Sequence, residues 1–153
     1  MVVAGPTVRR PPSTARPESA FVPVPPVRAQ RPRALLVCPD PANRRAHLDA
    51  LERCCTVTAT ESTDEALRIL VSDRGYKLVL CPGVTPSGTA AGFLRQLKAL
   101  RLRYLPPVVI YDIGDDPTEV INAIQHGARQ CISGSCSPRD LAARVDRLLQ
   151  RAS

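Results

Sequence analysis

The chain has no tryptophan, one methionine and 3% aromatic residues, so its core must be assembled from Leu, Val, Ile and Ala. No run approaches the roughly 18 consecutive apolar residues that a membrane span requires. Pro and Arg break up the N-terminal region, which leaves no apolar h-region for a secretory signal, and a cytoplasmic protein is expected. CxxC pairs and His-rich spacings are also lacking, so no metal site and no cofactor are expected. Six cysteines are present (Cys38, Cys54, Cys55, Cys81, Cys131 and Cys136). In a leaderless chain of 153 residues, long enough to bury a core without cross-links, they are expected to stay reduced.

The formal charge of +7 resembles a nucleic-acid signal until it is located. Residues 1–33 hold six arginines against the single acid Glu18, and so carry +5 of that charge; the remainder is close to neutral. Eight of the sixteen prolines also fall in this stretch, with few apolar residues to bury. Such a composition favours extended, disordered chain over a packed unit. We therefore read 1–33 as a disordered Pro/Arg-rich tail and 34–153 as a folded domain. The segment Val22-Pro23-Val24-Pro25-Pro26 is of the kind that proline-reading modules bind.

From Ala34 a strand–helix rhythm begins. Ala34-Leu35-Leu36-Val37 reads as a buried strand. Asp40 caps a helix that starts with Pro41 and runs to about Arg53, with Leu48 and Leu51 inside. Thr56–Thr60 is a β-branched strand, and Ser62-Thr63-Asp64-Glu65 is a capping box for a helix carrying Ala66, Leu67, Leu70 and Val71. Leu78-Val79-Leu80-Cys81 lacks alternation, as a strand buried on both faces does. It stops at Pro82-Gly83, and an ordinary loop is expected before a helix through Phe93, Leu94, Leu97 and Leu100. Pro107–Tyr111 is the fourth strand. Asp116 caps a helix with Val120, Ile121 and Ile124 inside and Gly127 as its stop, and Cys131-Ile132 marks a fifth strand. Ser137-Pro138 opens the last helix, striped by Leu141, Val145, Leu148 and Leu149. Five strand–helix units predict a doubly wound parallel sheet with helices on both faces.

Several pieces occur in order: Leu35-Leu36-Val37 with Pro41-Ala42-Asn43-Arg44 after a turn, Leu78-Val79-Leu80 with Pro86 past its end, Pro107-Val108-Val109-Ile110, and Ala123 through Gly127-Ala128. Over roughly residues 33–151 this string resembles the receiver domain of two-component response regulators. The resemblance implies a flavodoxin-like (βα)5 sheet of order 2-1-3-4-5. It also implies a site at the carboxyl ends of the strands, where two acids hold magnesium and an aspartate accepts a phosphoryl group. A hydroxyl residue and a lysine then respond to the phosphate. Carboxylates suit the hard cation, a carboxylate serves as nucleophile, and a cation neutralises the phosphoryl oxygens. Matched position by position, this chain has Cys38 and Pro39 for the acid pair, Pro82 for the phosphoacceptor, Asp112 for the hydroxyl residue and Gly134 for the lysine.

The resemblance thus points to a non-enzymatic pseudo-receiver that acts without phosphorylation, through contact with a protein partner (a regulator, kinase or transcription factor) or with a second copy. The face expected to carry that contact is about Pro117–Arg151, with Arg139, Arg144, Arg147 and Arg151 available for pairs across it. Because no element follows the last helix, an effect on transcription is expected to need a partner or the tail. Two rivals remain open. One is a redox or small-ligand sensor using the crevice and Cys38/Cys81, with Cys131 nearby; the other is nucleic-acid contact through the Arg-rich tail. Asp112, Asp115 and Asp116 are expected to be solvated or capping rather than metal-binding, and His47 and His126 are expected at the surface.

Overall fold

The computed structural model describes residues 31–152. The tail reading of 1–33 therefore lies, for residues 1–30, outside the described residues. In chain order the elements are β1 (Arg33–Val37), α1 (Pro41–Leu51), β2 (Thr56–Thr60), α2 (Thr63–Ser72), β3 (Tyr76–Pro82), β4 (Val84–Thr85), β5 (Gly88–Thr89), α3 (Ala90–Ala99), β6 (Val108–Ile113), α4 (Pro117–Gln125), β7 (Gln130–Ser133) and α5 (Pro138–Ala152). Five strands form one parallel sheet, in the order β2-β1-β3-β6-β7. This is the doubly wound parallel sheet expected from the strand–helix rhythm, in the flavodoxin-like order that the resemblance implies. Among the described residues no helix is long and apolar enough to cross a membrane.

The sheet divides the core into two layers. Leu35, Val37, Val79, Cys81, Val108 and Ile110 point to the side covered by α2, α3 and α4, where Leu70, Phe93, Leu94 and Leu97 meet them. Leu36, Cys38, Leu78, Leu80, Val109 and Tyr111 point to the other side, against Leu51 of α1 and Leu141, Val145 and Leu149 of α5. Successive strand residues point to opposite faces, so a strand covered on both sides has no polar position to spare. This is the origin of the unbroken apolar run at Leu78–Cys81.

Helix starts follow their caps. The carboxylate of Asp40 accepts the Ala42 N–H at 3.2 Å, Ser62 accepts from Glu65, Thr89 from Gly92 and Asp116 from Thr118. Gly127, at φ +111°, ends α4 in a conformation that costs a residue with a Cβ.

Three expectations are corrected. Arg33, read as the last residue of the tail, opens β1; its guanidinium pairs with Asp73 at 2.6 Å and lies 4.4 Å from the Tyr76 ring centroid. The stretch after Gly83 is not plain loop. Val84–Thr85 and Gly88–Thr89 form a small antiparallel hairpin, in which the Thr85 hydroxyl donates to the Gly88 carbonyl. In α4 the buried residue is Ala123, with Val120 half-buried, whereas Ile121 and Ile124 are 53% and 47% exposed. Ala123 is the small side chain that lets the helix lie close on the sheet, and Ile121 and Ile124, three residues apart, share the outward face. Val71 of α2 is outward in the same way.

Gly83 is held by proximity rather than by an unusual φ. A Cβ there would lie 2.7 Å from the Ile113 Cα and 3.1 Å from its Cβ. Gly83→Ala is expected to cost about 1–3 kcal/mol in urea unfolding, because backbone has to give way. Gly92→Ala, whose nearest neighbours are side-chain atoms at 3.6 and 3.9 Å in the first turn of α3, is expected to be neutral or mildly stabilising in the same measurement.

Candidate functional site

Where β1, β3 and β6 end, the loops that leave them wall a cleft of about 420 Å³. The chain after β1 supplies Cys38, Pro39 and Asp40; β3 and the hairpin supply Pro82, Val84, Thr85 and Pro86; β6 supplies Tyr111 and Asp112; and α1 supplies Asn43 and His47. Parallel strands bring their carboxyl ends to one edge, so residues far apart in sequence converge there.

Pro82 pairs in register with Tyr111. The Tyr111 hydroxyl donates to the Val37 carbonyl at 2.6 Å, so a buried phenol reaches from β6 to β1 beneath the cleft. Burial above all raises its pKa, with Cys38, Cys81 and Asp112 adding to the effect, and the phenol stays protonated.

Asp112 adopts φ +52°, a left-handed conformation that Asp tolerates better than most residues with a Cβ. The β6–β7 register shifts between Ile110 and Ile113, so Asp112 sits on the irregularity while Ile113 turns back into the core. The Asp112 carboxylate accepts the Cys136 N–H at 3.1 Å and thereby ties the end of β6 to the loop before α5.

His47 corrects the surface expectation. It is 4% exposed, meets the Tyr111 ring edge-on with centroids 5.3 Å apart, and has no hydrogen-bond partner for its buried Nδ1. Burial pushes the imidazole pKa down, opposed by the charge of Asp112. The signal lay in the spacing: His47 stands four residues before the buried Leu51, on the same face of α1.

The five positions matched to the receiver site do not stay together. Cys38, Pro39, Pro82 and Asp112 line the cleft. Gly134 does not; it turns the chain after β7 at φ +68°, with its N–H donating to Ile113. Cys38 and Cys81 lie in opposite core layers, because they occupy adjacent strands one residue out of phase. Burial pushes the Cys81 thiol up to about 12, and it also raises Cys131 and Cys136. A redox-active thiol needs the opposite shift. None of the six cysteines forms a disulfide.

The four arginines split as well. Arg139 lies with Asp49, Arg53 and Asp146 on a groove between α1 and α5. Arg144, Arg147 and Arg151 share a shallow hollow with Gln130 at the β7 edge. Asp116 is a helix cap, and the His126 Nδ1 lies 2.7 Å from the Asn122 carbonyl.

A magnesium ion, which the receiver resemblance implies, does not fit these residues. Cys38, Pro39 and Pro82 offer no side-chain oxygen, so the carboxylates that the resemblance places around the ion are absent at those positions, and Asp40 and Asp112 each turn one oxygen to a backbone N–H. Among the described residues no three His, Cys, Asp or Glu side chains are grouped to hold a metal.

Comparison with known proteins agrees with this geometry at the level of fold. A two-component response regulator from Clostridium difficile superposes with a TM-score of 0.69 at 18% identity, over 80% of this chain and 98% of that one. The chain has the receiver-domain fold. The receiver domain of a Francisella response regulator gives a TM-score of 0.69 at 19% identity, over 80% and 99% of the two chains. A response regulator/GGDEF domain protein matches at 21% identity and a TM-score of 0.69 over 80% of this chain, which spans half the length of that protein. No protein-family model and no curated protein matches the sequence.

The depressed pKa of His47 makes stability depend on pH in a defined direction. Below the ordinary imidazole value of 6.5 the unfolded chain takes up a proton that the folded ring resists. Stability is therefore complete above that pH and lost as pH falls through the lower folded pKa. Urea midpoints measured from about pH 7.5 to 5 are expected to fall in the wild type. His47→Leu, which also removes the orphaned Nδ1, is expected to flatten that slope.

Proposed function

We propose that this chain is a pseudo-receiver of a two-component-type regulatory system that works without phosphorylation, by protein–protein contact through α4, β7 and α5. The observation that carries the reading is Pro82 at the end of β3, packed between the chain after β1 and Tyr111. An imino-acid ring has no atom that attacks phosphorus, and of the two carboxylates lining the cleft Asp40 caps α1 and Asp112 lies in β6, neither at the end of β3. A docking role is supported by the outward Ile121 and Ile124 and by Arg144, Arg147 and Arg151, which form no ion pair among the described residues. Exposed aliphatics on α4 and arginines on α5 suit a partner that offers both apolar and acidic groups.

Two measurements test this. Incubation with acetyl phosphate and magnesium is expected to leave the intact mass unchanged, and a one-phosphoryl increase would overturn the phosphorylation-independent reading. A photo-crosslinker placed at position 124 in the native host is expected to capture a partner that one at position 68, on α2, does not. Ile124→Asp is expected to weaken that complex at least about tenfold, near 1.4 kcal/mol, and to lower the melting temperature only slightly, because the side chain is about half exposed.

A further inference from the structure

The two edges of the sheet are built differently. At one edge β7 has four residues, its register against β6 is broken between Ile110 and Ile113, and Arg144, Arg147 and Arg151 stand beside Gln130. Short length, irregularity and charge are devices that keep an edge strand from pairing with another chain. At the other edge β2 has none of them. Thr56-Val57-Thr58-Ala59-Thr60 carries neither charge nor proline, keeps register with β1 at all five residues, and among the described residues has no strand beyond it. Thr56 is exposed, and Val57, Thr58 and Ala59 are half-buried. The Thr56 N–H donates to the Pro32 carbonyl and the Thr60 carbonyl accepts the Cys38 N–H, so the backbone groups of Thr56, Thr58 and Thr60 face β1. Val57 and Ala59, in the alternate phase, direct their N–H and C=O groups outward.

We propose that β2 pairs with β2 of a second copy of this chain, antiparallel about a two-fold axis at Thr58, which joins the two five-stranded sheets into one. In that register Val57 of each copy lies opposite Ala59 of the other and exchanges a pair of hydrogen bonds with it, so every outward N–H and C=O of the strand is used. A register centred on Val57 would set Ala59 against Cys55, whose N–H already donates to the Leu51 carbonyl at 3.1 Å. Thr58 meets its own copy as a close, non-hydrogen-bonded pair, and Thr56 lies opposite Thr60. The ends are complementary in charge as well. Arg53 precedes the strand whereas Glu61, Asp64 and Glu65 follow it, all exposed, and antiparallel pairing sets the basic end of one copy toward the acidic end of the other. Another protein's strand would have to supply that match, which a second copy already holds. The strands are short, so the contact is small and association is weak and concentration-dependent. This edge lies across the sheet from β7, and the docking role of α4, β7 and α5 can fail without it, or it without that role.

Sedimentation of the full chain between about 1 µM and about 500 µM tests the pairing, and the average mass is expected to rise from monomer toward dimer over that range. Ala59→Pro removes an outward N–H and none that β1 uses. It is expected to weaken the dimer at least about tenfold with little change in melting temperature, because an edge strand tolerates proline where the N–H faces solvent. Thr58→Cys, under mild oxidation with copper phenanthroline, is expected to give a dimer cross-linked from position 58 to position 58, since a non-hydrogen-bonded antiparallel pair holds its Cα atoms at disulfide distance. Thr56→Cys is expected to give no such link to its own copy, because it lies opposite Thr60. Peptide mapping separates these products from links through the six native cysteines. If Ala59→Pro does not fold, the cross-link carries the test. The proposal is overturned if the chain stays monomeric throughout, if Ala59→Pro dimerises as tightly as the wild type, if position 56 links to itself as readily as position 58, or if Ile124→Asp abolishes the dimer instead.

Discussion

The hydrogen bond from the Tyr111 hydroxyl to the Val37 carbonyl organises the carboxyl end of the sheet. It joins β6 to β1, two strands that are not neighbours, with β3 between them. Because the phenol lies inside the protein, the bond is made without competition from water, and breaking it would strand a polar group at each end. It also fixes the ring on which His47 packs edge-on, and so sets the floor of the cleft. Pro82, paired with Tyr111, His47 against its ring and Asp112 next along β6 surround this one side chain.

A second constraint acts at the same edge. The left-handed Asp112 shifts the phase of β6 by one residue, which returns Ile113 to the core and brings its backbone so close to Gly83 that no Cβ fits between them. The carboxylate thereby freed points to the Cys136 N–H and anchors the loop before α5. In the resemblance, this position belongs to a hydroxyl residue that responds to phosphate. Here an aspartate ties β6 to the loop before α5.

The strand–helix rhythm was legible because local rules wrote it: caps at Asp40, Ser62 and Asp116, a stop at Gly127, and apolar runs wherever a strand is covered on both sides. Pro82 at the end of β3 was legible for the same reason, as a residue type at a strand end. Helix faces were harder to read. Ile121 and Ile124 look like core by hydropathy and are outward, whereas Ala123, which carries little hydropathy signal, is the contact. The hairpin at Val84–Thr89 was missed because strands of two residues leave no periodicity to detect.

What the sequence by itself determined is the order of elements and the parallel sheet, since each depends on residue type and near-neighbour spacing. Only the tertiary structure decided which distant residues share an environment. It separated Cys38 from Cys81 by the pleat, removed Gly134 from the cleft, divided the arginines of α5 between two surfaces and enclosed His47 beside Tyr111. The reason is geometric: burial and electrostatic partnership are set by which strands and helices pack together, and that information lies between segments rather than within any one of them.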